Sequence, residues 1–191
     1  MRTIFPCLGL SNKEGPMNIL STPRDHPDPD PTEIFINSLK QADIFEGMTH
    51  TQLQLVSMIC HERVFNAHEV VFNEGANSDE LYIVIQGEVE ILVNPDLVSS
   101  KKSNPALVIT VLRRGQSFGE MAMVDQGLRS ATARAAQKNT QVLVIASDRL
   151  RHLCAEYPLF GYRLMANLAA DLALKLRNTD LLLRLELIKT H

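Results

Sequence analysis

The chain has little cysteine. Cys7, Cys60 and Cys154 are the only thiols in 191 residues, the count is odd, and no CxxC occurs. A disulfide framework or a cysteine-built metal centre is not expected, and a reducing cytoplasm suits this composition. Long apolar runs are missing too, since none approaches the ~20 residues that cross a bilayer. Met1 to Leu10 carries one arginine and a short apolar patch broken by Pro6, a poor signal peptide. Charge is nearly balanced at −3, which gives no general attraction to nucleic acid or an anionic membrane. The six histidines, His26, His50, His61, His68, His152 and His191, show no HExxH or other metal-ligand spacing. No GxSxG, P-loop or cysteine–histidine arrangement occurs. These absences point away from an enzyme and from a metal or cofactor.

The apolar content is 45%, enough to build the core of one domain of ~150 residues with an extension. Six of the nine prolines fall in the first 31 residues, where His26 to Pro31 reads HPDPDP. Residues 1–31 are therefore expected to be extended or disordered. Met17 is a second candidate start within that segment.

Order is expected from Thr32. Thr32-Glu33 reads as a helix start, with Ile34, Phe35 and Leu39 at helical spacing. Thr49 reads as the cap of a second helix, whose apolar face is Leu53, Leu55, Val56, Met58 and Ile59. The period then changes. Val64-Phe65, Val70 to Phe72, Leu81 to Ile85, Val89 to Val93, Leu107 to Leu112, Ala131 to Ala135 and Val142 to Ile145 are short β-rich runs. Five of the nine glycines lie between Gly75 and Gly127, as tight corners of an all-β unit require. Asn94 to Pro105 reads as a polar surface loop. Ser147-Asp148 reads as the cap of a helix over Arg149 to Glu156.

The stretch from Phe118 to Thr132, FGEMAMVDQGLRSAT, carries the chemistry. Gly119 removes a side chain where a helix could begin, at Glu120-Met121-Ala122-Met123. A helix start offers free N–H groups and a positive dipole end to an anion. Arg129 supplies a guanidinium that can fork onto two phosphate oxygens. Glu120, ionised, only accepts hydrogen bonds, so it suits a neutral donor such as a sugar hydroxyl. Ser130 adds a hydroxyl beside the arginine. A compact ligand with one phosphate and one sugar hydroxyl satisfies all four. The bland alternative is an exposed Glu120–Arg129 ion pair worth ~0–1 kcal/mol.

This stretch resembles the phosphate-binding cassette of the cyclic nucleotide-binding domain family, which reads F-G-E-[LM]-A, a short turn, then R-[STA]-A. The matching positions are Phe118, Gly119, Glu120, Met121, Ala122, Arg129, Ser130 and Ala131. The resemblance implies that Glu120 holds the ribose 2′-hydroxyl and Arg129 the cyclic phosphate. Backbone N–H groups near Gly119 to Met121, with Ser130, would complete the site. It implies an α+β, mainly β fold: a jelly-roll-like β-roll over residues 32–157, with short N-terminal helices and a long helix over 158–191. The cassette would be the only helical interruption of the roll.

Within that helix, Phe160, Leu164, Asn167, Asp171, Leu174, Asn178, Leu181, Leu185 and Ile188 form a heptad seam. Met165, Leu168, Leu172, Leu176 and Leu183 form a second stripe. One stripe is expected on the roll and the other on a second copy of the chain, as in the resembling catabolite activators. A helix wholly buried within one subunit is the alternative. The resemblance also implies that Arg177, Asn178 and Thr179 cap the purine, although Asn178 equally reads as a register-setting polar residue of the seam.

The function implied is a cyclic nucleotide receptor, cAMP before cGMP, that signals by conformational change to an unknown partner protein. The resembling transcription factors continue into a helix-turn-helix. The sequence stops at His191 without a recognition helix, so direct DNA binding is not expected unless the chain is a truncated regulator of that kind. An interaction module with a vestigial pocket, a cGMP sensor and a cyclic dinucleotide sensor are the other readings.

Overall fold

The structure, a computed structural model, describes residues 31–77, 79–94, 106–125 and 127–189. All but the last residue of the Pro-rich segment 1–31, all but the first residue of the 94–105 loop, and Gln126 lie outside the described residues; Pro31, expected to be extended or disordered, opens the first helix. In chain order the elements are helix α1 (Pro31–Lys40), a 3-10 turn (Asp43–Phe45), helix α2 (His50–Ser57), and strands β1 (Cys60–Phe65), β2 (Val70–Phe72), β3 (Glu80–Gln86), β4 (Val89–Val93), β5 (Leu107–Leu112) and β6 (Ser117–Phe118). Helix α3 (Met121–Val124), strands β7 (Thr132–Ala135) and β8 (Thr140–Ala146), and helices α4 (Ser147–Glu156) and α5 (Pro158–Lys189) follow. Among the described residues, α3 is the only helix between β1 and β8, as expected of a β-roll.

Two four-stranded antiparallel sheets make the roll, in the orders β1-β8-β3-β6 and β2-β7-β4-β5. Strands β3 and β8 pair along their length, with Tyr82 opposite Val144 and Ile83 opposite Leu143. Their near-continuous apolar runs have a physical reason, because both faces are covered. Leu81, Ile83, Leu143 and Ile145 face a core shared with α1, the 3-10 turn, α2 and α5. Tyr82, Val84, Val142 and Val144 alternate to the other side and meet Val89, Leu112, Ala133 and Ala135 of the second sheet. One strand pair thus joins both cores.

Local signals explain most ends. Thr49 Oγ1 accepts from Gln52 N at 3.3 Å, and Gln52 Oε1 accepts from Thr49 N at 2.9 Å, a reciprocal capping box. Ser147 departs from expectation. It is the first residue of α4 and Ala146 is the cap, without a side-chain bond. Ser147 N donates to Asp79 O at 2.6 Å and Ser147 is fully buried, which turns the residue inward, away from the capping position. Strand β6 was not expected. It is two residues long, too short for an alternation pattern to reveal, and pairing with Tyr82 and Ile83 creates it.

Helix α5 also corrects its expected partition. Phe160, Leu164 and Leu168, drawn from both stripes, are 3%, 0% and 1% exposed. Leu174, Leu176, Leu181, Leu185 and Ile188, also from both, are exposed. The division therefore runs along the helix as well as around it, since Met165 in the first half is exposed too. The first half packs on the roll and the second extends beyond it, because the sheets end before the helix does. The side chain of Leu183 lies outside the described residues.

Candidate functional site

Strand β6 delivers the chain into the cassette. Phe118 is held opposite Tyr82, and the next residue, Gly119, has φ +75°. That left-handed turn swings Glu120 inward, and Glu120 caps the single turn of α3. The chain reverses at Asp125, whose Oδ1 accepts from Gly127 N at 2.9 Å. Arg129 is then clamped by its backbone. Arg129 N donates to Ala76 O at 3.0 Å, and Gly75 N donates to Arg129 O at 2.8 Å. The loop after β2 therefore forms the opposite wall.

Glu120 and Arg129 are 7% and 6% exposed. An exposed surface ion pair is thereby excluded as their arrangement. Arg129 Nη1 donates to Gly119 O at 3.0 Å and Nη2 to Glu80 O at 2.6 Å. The guanidinium lies 4.2 Å from the centroid of the Phe72 ring and 5.6 Å from that of Tyr82. Phe72, Tyr82 and Phe118 form an aromatic floor, with Tyr82 and Phe118 stacked at 4.9 Å. Burial holds Arg129 below its ordinary pKa, while Tyr82, Glu80 and Glu120 act against that shift. The Tyr82 phenol is pushed up to about 12, first by burial and then by the 2.5 Å hydrogen bond it donates to Glu80 Oε2. The Arg129 fork thus rests on backbone carbonyls inside the fold. An anionic phosphate oxygen is a stronger acceptor than either.

Glu120 meets a residue from the far end of the chain. Lys175 Nζ on α5 donates to Glu120 Oε1 and to Ser117 O, each at 3.0 Å. It also lies 2.7 Å from Asp171 Oδ2, an ion pair whose angle falls outside hydrogen-bond geometry.

Of the residues singled out in the sequence, Phe118, Gly119, Glu120 and Arg129 converge on one interior. Ser130 is exposed, its hydroxyl 3.5 Å from Met121 Sδ, and Ala131 is half-buried just before β7. Met121 and Ala122 open α3; the side chain of Ala122 lies outside the described residues. Arg177, Asn178 and Thr179 are exposed on α5, and Thr179 Oγ1 bonds back to Lys175 O at 3.0 Å. Sequence reasoning missed Phe72, Glu80, Tyr82, Asp171 and Lys175. Phe72 and Tyr82 read as strand residues, Glu80 fell just before the Leu81 to Ile85 run, and Asp171 read as a seam break. Nothing in the local sequence marks Lys175, because its role depends on where α5 crosses the cassette.

Fold and site together define a β-roll domain of the cyclic nucleotide-binding class. The model of the Cyclic nucleotide-binding domain family matches residues 62–157, and the chain belongs to that family. It is 29% identical over 143 residues to the Cyclic AMP receptor protein of Thermus thermophilus, covering 75% of this chain and 61% of that protein. It is 30% identical over 143 residues to the cAMP-dependent protein kinase regulatory subunit of Candida albicans, covering 75% of this chain and 27% of that protein. The chain thus spans less than two thirds of either relative. A cyclic nucleotide-binding domain from Methylobacillus flagellatus shares the fold, with a TM-score of 0.66 at 21% identity over 80% of this chain and 83% of that one.

Proposed function

We propose that the chain is a receptor for a purine cyclic mononucleotide, cAMP in preference to cGMP, and that it signals to a partner protein without catalysing a reaction. One observation carries this reading: Arg129 is buried, with its fork turned toward the cassette glycine. The phosphate would take the fork and the first-turn N–H groups of α3, with Ser130 beside them. Glu120 would accept from the ribose 2′-hydroxyl. Arg177, Asn178 and Thr179 would close over the base from α5. The preference for adenine draws support from the two relatives, whose names specify cAMP. The exposed leucines of α5 support a homodimer through that helix. A cytoplasmic setting accords with the half-buried free thiols Cys60 and Cys154 and with the absence, among the described residues, of a helix long and apolar enough to cross a membrane.

Calorimetric titration with cAMP, cGMP and a cyclic dinucleotide tests the reading. Micromolar or tighter binding of cAMP is expected, with cGMP weaker. Arg129→Lys keeps the charge and loses the fork, so binding should weaken about 100-fold, the size of one or two charge-assisted hydrogen bonds. A melting curve of the variant separates lost binding from lost folding. Tighter binding of cGMP would reverse the preference. Absence of binding to all three would leave an interaction module with a vestigial pocket.

A further inference from the structure

Oxidants attack sulfur, and a methionine reacts where its thioether reaches solvent. The described thiols are poor targets. Cys60 and Cys154 are half-buried. Burial pushes the Cys60 thiol up to about 12 and the Cys154 thiol above its ordinary value, so neither is a ready thiolate. Among the described methionines, Met123 is buried, whereas Met58, Met121 and Met165 are open to solvent. Met58 follows α2 and Met165 lies on α5, both outside the cassette. Met121 opens α3, beside the N–H groups that the receptor reading gives to the phosphate. Ser130 Oγ donates to Met121 Sδ at 3.5 Å. A hydroxyl has one proton to give, and a thioether is a weak acceptor. Ser130 can therefore turn that proton to a phosphate at little cost.

We propose that Met121 is an oxidative modification site through which peroxide lowers the affinity of the cassette for its phosphate ligand. The proposal rests on the receptor reading above. The step is a two-electron transfer of one oxygen atom. The thioether lone pair attacks hydrogen peroxide, the O–O bond breaks, an S–O bond forms, and the remaining oxygen leaves as water. Sulfur is oxidised to the sulfoxide and the peroxide is reduced. The product is polar where the thioether was apolar. Its oxygen takes the Ser130 proton and sets a negative dipole end beside the first turn of α3, where the anion has to lie. Both effects oppose the phosphate, and neither requires Glu120 or Arg129 to move.

The test compares the wild type with Met121→Leu, each titrated by calorimetry before and after treatment with hydrogen peroxide. The titrant is whichever of cAMP and cGMP binds the untreated wild type more tightly. Peptide mass spectrometry follows oxidation at Met58, Met121 and Met165. Each protein is compared with itself, so any change that leucine makes to the untreated affinity drops out. Oxidised wild type is expected to bind about tenfold more weakly, the size of one hydrogen bond to a charged group. A methionine sulfoxide reductase with a thiol reductant should restore the affinity. Met121→Leu should hold its untreated affinity although Met58 and Met165 are oxidised. Ser130→Ala should bind more weakly at the outset and lose less on oxidation than the wild type. Equal losses in wild type and Met121→Leu would assign the effect to another sulfur and overturn the proposal. So would undiminished affinity in wild type carrying the Met121 sulfoxide, or a Met121 that stays reduced while Met58 is fully oxidised. Untreated wild type that binds neither cAMP nor cGMP overturns the receptor reading instead, and the proposal falls with it.

Discussion

At the scale of single residues, the site turns on the lack of a side chain at Gly119. An added Cβ would stand 2.6 Å from Arg129 Nη1 and 3.0 Å from Glu80 O, at a backbone φ of +75°. Two costs therefore coincide: left-handed strain, and displacement of the guanidinium from its carbonyls. Gly75 separates them, since its φ is +76° but nothing lies within 4 Å of its would-be Cβ. Gly75→Ala should cost the strain alone, about 1–2 kcal/mol. Gly119→Ala should cost more, with a Tm lower by roughly a further 2–6 °C, and should weaken ligand binding where Gly75→Ala does not. Equal melting points for the two variants would mean that the cassette yields to the Cβ and that Gly119 serves only the turn.

At the scale of elements, Asn167 shows how a polar residue in an apolar seam can have a partner within its own subunit. Its Nδ2 donates to Ile44 O at 3.1 Å and to Glu46 O at 3.0 Å, tying α5 to the 3-10 turn before α2. Arg163 Nη1 makes a neighbouring tie to Gly47 O. Removing the amide strands the carbonyl of Ile44, which is fully buried. Asn167→Leu should therefore destabilise the fold by about 1–3 kcal/mol in urea denaturation. A register-setting role between two copies predicts the reverse, because leucine at a seam position strengthens a coiled coil. Greater stability in the variant would show that Asn167 sets register between two copies instead.

At the scale of the whole molecule, the exposed second half of α5 has to be accounted for. Leu174, Leu181 and Leu185 are 56%, 57% and 46% exposed, and Ile188 is 72% exposed. A homodimer through this face would need to bury more than about 1,000 Å² in total to be stable. Light scattering at micromolar concentration should give twice the chain mass. Leu181→Lys should shift that mass toward the monomer while leaving the melting of the roll unchanged. A wild-type monomer under those conditions would remove α5 as a dimer interface and leave its leucines for a different protein.

The amino-acid sequence by itself determined most of the strands and helices, because that information is local, and its resemblance to a family implied how they assemble into a β-roll. Alternation in β7, continuous apolar runs in β3 and β8, glycine at corners and the Thr49–Gln52 box each act over a few residues. It also determined the chemical character of the cassette, since Glu120 and Arg129 lie nine positions apart on a single turn. Only the tertiary structure decided which residues surround them. Phe72, Glu80 and Tyr82 reach Arg129 through strand pairing, and Lys175 reaches Glu120 across 55 positions of chain. The two stripes of α5 were legible as apolar, but which leucines are covered depends on where the sheets end beneath the helix. That boundary is set by packing between distant segments, and no local pattern records it.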